Sequence, residues 1–251
     1  MHSNGKLYIV GCGSFTMETL TYGAYEALSN SNIIVGYKKY IDELKKIFPS
    51  KHFYSTGMKQ EKERVKKAID FAKEGKIVSI VSSGDSGIYG MAGLTFELAK
   101  DSNTQIDIKV IPGLPALAIC ASLLGAPLMN DFAVISFSNL LTKEDVIIKR
   151  LEAFLESGAV IVIYNPTSKG RNDFFNKLWN IICQKRKGCW AGYVKHGGKH
   201  LLEEKGIAKV ENLPCERFDM NTLIIVGNED TTVIDKFLVT KRGYHIDGEI
   251  L

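Results

Sequence analysis

The sequence predicts an α/β fold: two α/β domains with mixed, largely parallel sheets. Three observations carry the prediction. Short runs of branched apolar residues alternate with helical patterns along the whole chain. The apolar runs are mostly continuous, the mark of strands covered on both faces. They end repeatedly in loops that carry glycine. About ten strands in two groups suit two domains, joined around Gly125-Ala126-Pro127-Leu128-Met129-Asn130, where turn formers interrupt the pattern. An N-terminal domain is therefore expected over 1–125 and a C-terminal one over 126–251.

Taken in order, Leu7 to Val10 is a strand ending in Gly11-Cys12-Gly13. Met17 to Leu28 sets Met17, Leu20, Ala24, Ala27 and Leu28 at helical spacing, and Ile33 to Val35 is the next strand. Glu61 to Glu74 is a clear helix, with Val65, Ala68, Ile69 and Ala72 on one stripe and Gly75 as its stop. Ile77 to Val81 is a buried strand leading into Ser82-Ser83-Gly84-Asp85, and Ile106 to Ile111 is a strand closed by Pro112-Gly113. In the second half Phe132 to Phe137 and Ala159 to Tyr164 are strands flanking a helix over Lys143 to Glu156. Arg171 to Lys185 is a helix with Phe174, Phe175, Leu178, Ile181 and Ile182 inward. Cys189 to Val194 and Leu223 to Val226 are further strands, and Lys241 to Leu251 is a polar tail.

Composition narrows the class. The 251 residues are 45% hydrophobic and 24% charged, with a formal net charge of +4, which excludes gross disorder and a coiled coil. No apolar run approaches the ~20 residues of a spanning helix, and the first residues do not read as a signal peptide, so a cytoplasmic protein away from membranes is expected. The charge is too mild for a nucleic-acid partner, although a local basic patch for an acidic small molecule stays open. Cys12, Cys120, Cys183, Cys189 and Cys215 are odd in number and lack Cys-x-x-Cys spacing, which points to reduced, mostly buried thiols.

Ligands of open α/β sheets bind beyond the carboxyl ends of strands, so chemistry is sought in the loops that follow them. Gly11-Cys12-Gly13-Ser14-Phe15 lacks the third small residue of a dinucleotide fingerprint, and no acidic residue ends the next strand. A tight turn is the better reading. Ser82 to Gly90 holds three glycines in seven residues, which lets a ligand approach the backbone. The rival reading makes Asp85 or Ser86 a helix cap. Neither this loop nor Ser168-Lys169-Gly170-Arg171 has the Gly-Lys-Ser/Thr of a phosphate loop. His196 and His200 have metal-ligand spacing, but Gly197-Gly198 between them opposes a helix, and no metal site is expected.

Together these loops resemble the tetrapyrrole methyltransferase superfamily: Val10-Gly11-Cys12-Gly13, Ser83-Gly84-Asp85 and Ile111-Pro112-Gly113-Leu114-Pro115-Ala116, in that order. The second half resembles the precorrin-3B (cobalt-factor III) C17-methyltransferases of cobalamin synthesis. That likeness rests on residues 135–142, on Tyr164-Asn165-Pro166-Thr167-Ser168-Lys169-Gly170-Arg171, and on residues 220–228 and 239–244. It spans Lys6 to Tyr244.

The resemblance implies S-adenosylmethionine held between two α/β domains, S-adenosylhomocysteine as product, and a homodimer. It places cofactor contacts at Ser83, Gly84, Asp85, Ser86, Ile88, Tyr89, Pro115, Ala116, Asn165, Gly197 and Thr222. The N-terminal domain borders the tetrapyrrole, with Gly13 and Ser14 on the substrate side, and the C-terminal domain completes the cofactor site. Ser14-Phe15 stands where the superfamily usually has Pro-Gly, a departure in the substrate loop. Lys169 and Arg171 are candidates for the substrate's many carboxylates, against a solvated helix start. A sulfonium methyl is already a strong electrophile, so positioning is the expected mechanism, with no catalytic side chain and cobalt only inside the substrate. The rivals are another corrin methyltransferase, a diphthine synthase, a ribosomal-RNA 2′-O-methyltransferase, and a non-catalytic nucleotide-binding module.

Overall fold

The computed structural model describes residues 5–101, 106–168 and 172–244. The chain divides into two compact units, Met1–Ala116 and Leu117–Leu251.

The first unit is a five-stranded sheet of order β3-β2-β4-β1-β5, formed by β1 (Lys6–Gly11), β2 (Ile33–Tyr37), β3 (His52–Thr56), β4 (Ile77–Ser82) and β5 (Asp107–Ile111). Every pairing is parallel. Alternation along the strands builds two cores. Val10, Ile34 and Val81 face α1 (Tyr22–Asn30) and α2 (Lys38–Ile47) through Ala24, Leu28, Ile41 and Leu44. Leu7, Ile9, Val35, Val78 and Ile80 face α3 (Glu61–Lys73) and the start of α4 (Ala92–Asp101) through Val65, Ala68, Ile69, Ala72 and Ala92. Helices on both faces bury both sides of the strands, as the continuous apolar runs require. The stripe read on α3 is its buried face. The chain leaves it through Gly75 at φ 82, where the Gly75 N–H donates to the Ala72 carbonyl.

The second unit holds a mixed sheet of order β10-β9-β11-β8-β7, from β7 (Phe132–Ser136), β8 (Val160–Tyr164), β9 (Trp190–Lys195), β10 (Glu204–Lys209) and β11 (Thr222–Val226). Only β7 and β8 pair in parallel there. The parallel character of the fold is concentrated in the first unit. α6 (Glu144–Glu156) and α7 (Asn172–Lys185) cover one face, with Ile147, Leu151, Phe175, Leu178 and Ile182 packed on Ile161, Ile163, Ile224 and Val226. A three-stranded sheet of order β12-β13-β6 completes the unit: β6 (Gly125–Ala126), β12 (Thr231–Ile234) and β13 (Phe237–Thr240). α5 (Ala116–Leu124) precedes β6. A Cβ at Gly192 of β9 would meet Leu124 and Leu238, so glycine there admits both leucines against the strand.

Two sequence readings change. The helix expected from Met17 starts at Tyr22, because Thr21 is its cap: the Thr21 hydroxyl accepts from the Ala24 N–H at 3.1 Å. Residues before it form a turn, with the Leu20 N–H bonded to the Thr16 carbonyl. The five cysteines are free, but they are not mostly buried as expected: Cys12 and Cys120 are buried, and Cys183, Cys189 and Cys215 are half-buried. Of the expected tail, 245–251 lie outside the described residues.

Candidate functional site

The strand order creates a crevice. β1 and β4 are parallel neighbours, with Gly11 opposite Ser82. The chain leaves β1 toward the α1–α2 face and leaves β4 toward the α3–α4 face. Neighbouring strands whose connections part to opposite faces open a ligand crevice at their carboxyl ends. Here its floor is a backbone bridge between Gly13 and Gly84, whose N–H groups donate to each other's carbonyls at 3.1 and 2.8 Å.

The loop after β5 joins this floor. Asp85 accepts the Gly87 N–H on Oδ1 at 2.8 Å and the Gly113 N–H on Oδ2 at 3.0 Å. Asp85 therefore ties two loops together. It does not cap α4, which begins at Ala92. Gly11, Gly84 and Gly113 cross backbone on backbone: a Cβ at Gly113 would lie 2.2 Å from the Gly84 carbonyl oxygen, and one at Gly11 2.6 Å from the Gly113 nitrogen. Gly84 differs. Its φ of 62° favours glycine, yet a Cβ there would find Ala116 N at 3.5 Å and Pro115 Cα at 3.7 Å, ordinary contact distances. Gly84 thus leaves a methyl-sized cradle beside Pro115 and Ala116.

The other predicted residues of this unit take distinct places. Ser83 is exposed and its hydroxyl donates to Tyr40 Oη at 3.2 Å. Ile88 is half-buried, and Tyr89 is exposed with φ 52°. Ser86 is interior: its hydroxyl donates to the Ile9 carbonyl at 3.4 Å, and its own carbonyl accepts the Ala92 N–H. Gly13 and Ser14 are likewise buried, the Ser14 N–H donating to Thr19 Oγ1 at 3.0 Å. Cys12 is fully buried, and burial pushes its thiol far up, away from the thiolate form.

In the second unit β11 runs antiparallel between β8 and β9. Its first residue, Thr222, consequently shares a sheet edge with the carboxyl ends of β8 and β9. Asn165, Gly197 and Thr222 all fall on that edge. Asn165 has φ 50° and donates from Nδ2 to Ser136 Oγ at 3.1 Å. Tyr164 Oη accepts the Leu117 N–H at 2.9 Å, at the start of α5. His196 has φ 53° and donates its N–H to the Asn221 carbonyl. A Cβ at Gly197 would lie 2.9 Å from Cys120 Sγ. Thr222 is buried, its hydroxyl donating to Asp219 Oδ1 at 3.3 Å.

Asp219 also pairs with Lys195 at 3.0 Å and accepts the Asn221 N–H at 2.8 Å. Burial alone would raise its pKa. The Lys195 hydrogen bond, the Asn221 N–H and the charges of Lys195 and His196 outweigh that and hold it below the usual carboxylate value. Four of the six non-glycine residues with positive φ, Phe15, Tyr89, Asn165 and His196, sit in these post-strand loops among the described residues. Such strain concentrates at functional sites.

Lys169 and Arg171 lie outside the described residues. Among the described residues no group of three or more His, Cys, Asp and Glu is placed to hold a metal ion. Sequence reading misses Tyr40 and Asp219, and shows Gly11, Gly113 and Tyr164 only as members of loop motifs, without a role of their own. Gly113 is legible in the sequence as a strand stop and as part of the Pro-Gly loop, but nothing local announces that its backbone crosses Gly84.

The profile of the Tetrapyrrole (Corrin/Porphyrin) Methylases matches residues 6–213. The chain belongs to that family. A protein from Salmonella typhimurium, named a probable cobalt-factor III C(17)-methyltransferase, is 41% identical over 239 residues, covering 95% of this chain and 99% of its own. The cobalamin biosynthesis protein CbiHC of Archaeoglobus fulgidus is 38% identical over 244 residues; the alignment covers 96% of this chain and 53% of that one, so this chain spans about half its length. Among solved structures, the methyltransferase CobJ superposes with a TM-score of 0.88 at 28% identity, over 94% of this chain and 100% of that one. A uroporphyrin-III C-methyltransferase of Thermus thermophilus, complexed with S-adenyl homocysteine, shares the fold at 18% identity and TM-score 0.66, over 89% of this chain and 92% of that one.

Proposed function

We propose that this methyltransferase transfers a methyl group from S-adenosylmethionine to C17 of a precorrin-3B or cobalt-factor III type tetrapyrrole, with ring contraction, in cobalamin biosynthesis. The observation that carries the reading is the nearly end-to-end match to the Salmonella relative and its printed activity. The cradle at Gly84 supports the cofactor: the absent side chain and left-handed backbone let a ligand lie against the chain beside Pro115 and Ala116.

When bound, S-adenosylmethionine supplies an electrophilic methyl on a sulfonium. The chain's own residues then have to hold and orient. In this reading the cofactor contacts are Ser83, Gly84, Asp85, Ile88, Tyr89, Pro115 and Ala116, together with Asn165, Gly197 and Thr222. Asp85 acts by fixing the Gly113 loop, since both its oxygens are engaged by backbone N–H groups. Ser86 serves the loop from inside. A macrocycle carbon is electron-rich enough to attack directly, so orientation and exclusion of water supply the catalysis, and no side chain becomes covalently modified. The buried, protonated Cys12 agrees with that.

Cobalt, where present, enters within the substrate. The polycarboxylate substrate makes Lys169 and Arg171 its proposed anchors, and a cytoplasmic homodimer belongs to the same reading. No helix among the described residues is long and apolar enough to cross a membrane. The test is anaerobic incubation with labelled S-adenosylmethionine and either metal-free precorrin-3B or cobalt-factor III, followed by mass spectrometry. One labelled methyl on C17 is expected with one of the two. Transfer to another position, or none to either tetrapyrrole, overturns the assignment.

A further inference from the structure

We propose that Tyr40 is a positioning residue for the tetrapyrrole, setting both walls of the β1–β4 crevice from one side chain. The proposal rests on the reading of this site as a tetrapyrrole methylase.

Phe15, in the wall after β1, has a φ of 63°, a genuine outlier for a bulky residue. A strained residue persists only where its surroundings over-determine it. Phe15 is buried, its N–H donates to the Cys12 carbonyl at 3.0 Å, and its ring stacks on Tyr40 at 4.6 Å with 25° between planes. The same Tyr40 accepts the Ser83 hydroxyl at 3.2 Å. Ser83 opens the other wall, directly before Gly84. Ring face and hydroxyl of one tyrosine thus engage the loops after β1 and β4.

Tyr40 is itself anchored. Its ring meets Tyr37 edge-on at 5.2 Å and 87°. Beneath Tyr37 lies Arg64, its guanidinium 5.9 Å from the ring centroid. Arg64 is buried without a carboxylate at ion-pair distance among the described residues. Neutral groups hold it: Thr56 Oγ1 at 3.0 Å and the Gly57 carbonyl at 2.9 Å, with Met91 Sδ at 3.9 Å. An aromatic face is a natural further partner for a desolvated guanidinium. The stack Arg64–Tyr37–Tyr40–Phe15 therefore joins the ends of β2 and β3 to the wall after β1. It spans the carboxyl end of β4, which lies between β2 and β1.

Two variants separate ring from hydroxyl, and half-burial of Tyr40 favours folding of both. Tyr40→Leu removes both functions; Tyr40→Phe keeps the ring. Hydrogen exchange of the Phe15 N–H reads the wall, with the β4 amides as a control for the fold. In Tyr40→Leu, exchange at Phe15 is expected to rise about tenfold or more, and tetrapyrrole KM about tenfold with kcat within about twofold, because a pre-set binding wall is lost. Tyr40→Phe is expected to leave Phe15 exchange within about twofold of wild type and to raise KM about threefold. S-adenosylhomocysteine affinity is expected to fall about twofold to threefold in both, because both lose the Ser83 contact on the cofactor loop, and equally in the two, because the ring acts on the other wall.

Unchanged Phe15 exchange in Tyr40→Leu overturns the proposal, as does a fall in kcat without a rise in KM, or Tyr40→Phe loosening Phe15 as much as Tyr40→Leu does. If the wild-type protein methylates no tetrapyrrole, the functional reading fails separately, and the exchange comparison still decides whether Tyr40 holds the wall.

Discussion

Glycine is favoured at 84 and required at 113 for different physical reasons, and substitution separates them. At Gly113 the obstacle is space, because a Cβ would sit 2.2 Å from the Gly84 carbonyl and 2.4 Å from the Gly11 carbonyl carbon. No rotamer relieves a backbone clash. Gly113→Ala is expected to lose about 4 kcal/mol or more of stability, in the range reserved for gross disruption. At Gly84 only the left-handed backbone opposes a side chain, so Gly84→Ala is expected to lose about 1–2 kcal/mol. Gly84→Val should remain folded yet fill the cradle and weaken S-adenosylhomocysteine binding about tenfold or more, roughly 1.4 kcal/mol. Urea midpoints and calorimetry check both, and full affinity in Gly84→Val would remove this loop from the cofactor site. Cys12 makes the opposite case. Its thiol is buried and protonated, so Cys12→Ala should keep single-turnover methyl transfer within about tenfold, about 1.4 kcal/mol in the barrier. Loss of several orders of magnitude with cofactor affinity intact would instead make Cys12 part of the chemistry.

Elements with long apolar stripes or runs were legible in the sequence, whereas the short α2, with only Ile41 and Leu44 buried, and the polar edge strands were not. α3 announces itself through Val65, Ala68, Ile69 and Ala72, and β4 through branched apolar residues broken only by Ser79. β10, Glu204–Lys209, reads Glu-Lys-Gly-Ile-Ala-Lys, an edge strand whose partner β9 supplies the pattern that its own residues lack. β3, β12 and β13 were missed for the same reason: they are short and lie in edge or hairpin pairings. The turn before β11 is another such case, since Asp219 is an unremarkable acid until Lys195, Asn221 and Thr222 converge on it. Its pH behaviour follows from the sign of its shift. A carboxylate whose folded pKa is depressed contributes stability that is fully present above the unfolded value, near 3.8, and is lost as pH falls through the folded value. Asp219→Asn should therefore flatten the loss of melting temperature below about pH 4 and leave its pH dependence unchanged between about pH 5 and 7. An unaltered acid limb in melts of this variant would show that the turn contributes nothing through its charge.

At the scale of the whole molecule, strand ends were readable but strand neighbours were not. Each glycine loop could be placed after a strand, and the resemblance collected the loops into one site. That β1 lies beside β4, with Gly13 bonded to Gly84, is a property of the sheet order 3-2-4-1-5 and has no local signature. The second unit shows the same limit. Its central strand β11 and its hairpin β12–β13 lie beyond residue 213, where the family profile stops, yet β11 pairs with both β8 and β9. The hairpin is built into the unit as well. β13 pairs with β6, Leu238 is wholly buried, and the Thr240 hydroxyl donates to the Pro127 carbonyl at 2.7 Å. Leu238 fills space left open by the missing side chain of Gly192 on β9. Truncating it should leave a cavity against the sheet, at a cost of about 2–5 kcal/mol for Leu→Ala. Each unit has its own cores, so the loss is expected to be local. In Leu238→Ala, amides of β9 and β11 should exchange about 30-fold faster or more, as a loss of ~2 kcal/mol implies, while those of β1 and β4 keep wild-type protection. Equal acceleration in all four strands would mean that the chain opens as one cooperative body, and that Leu238 supports the whole molecule rather than the second sheet alone.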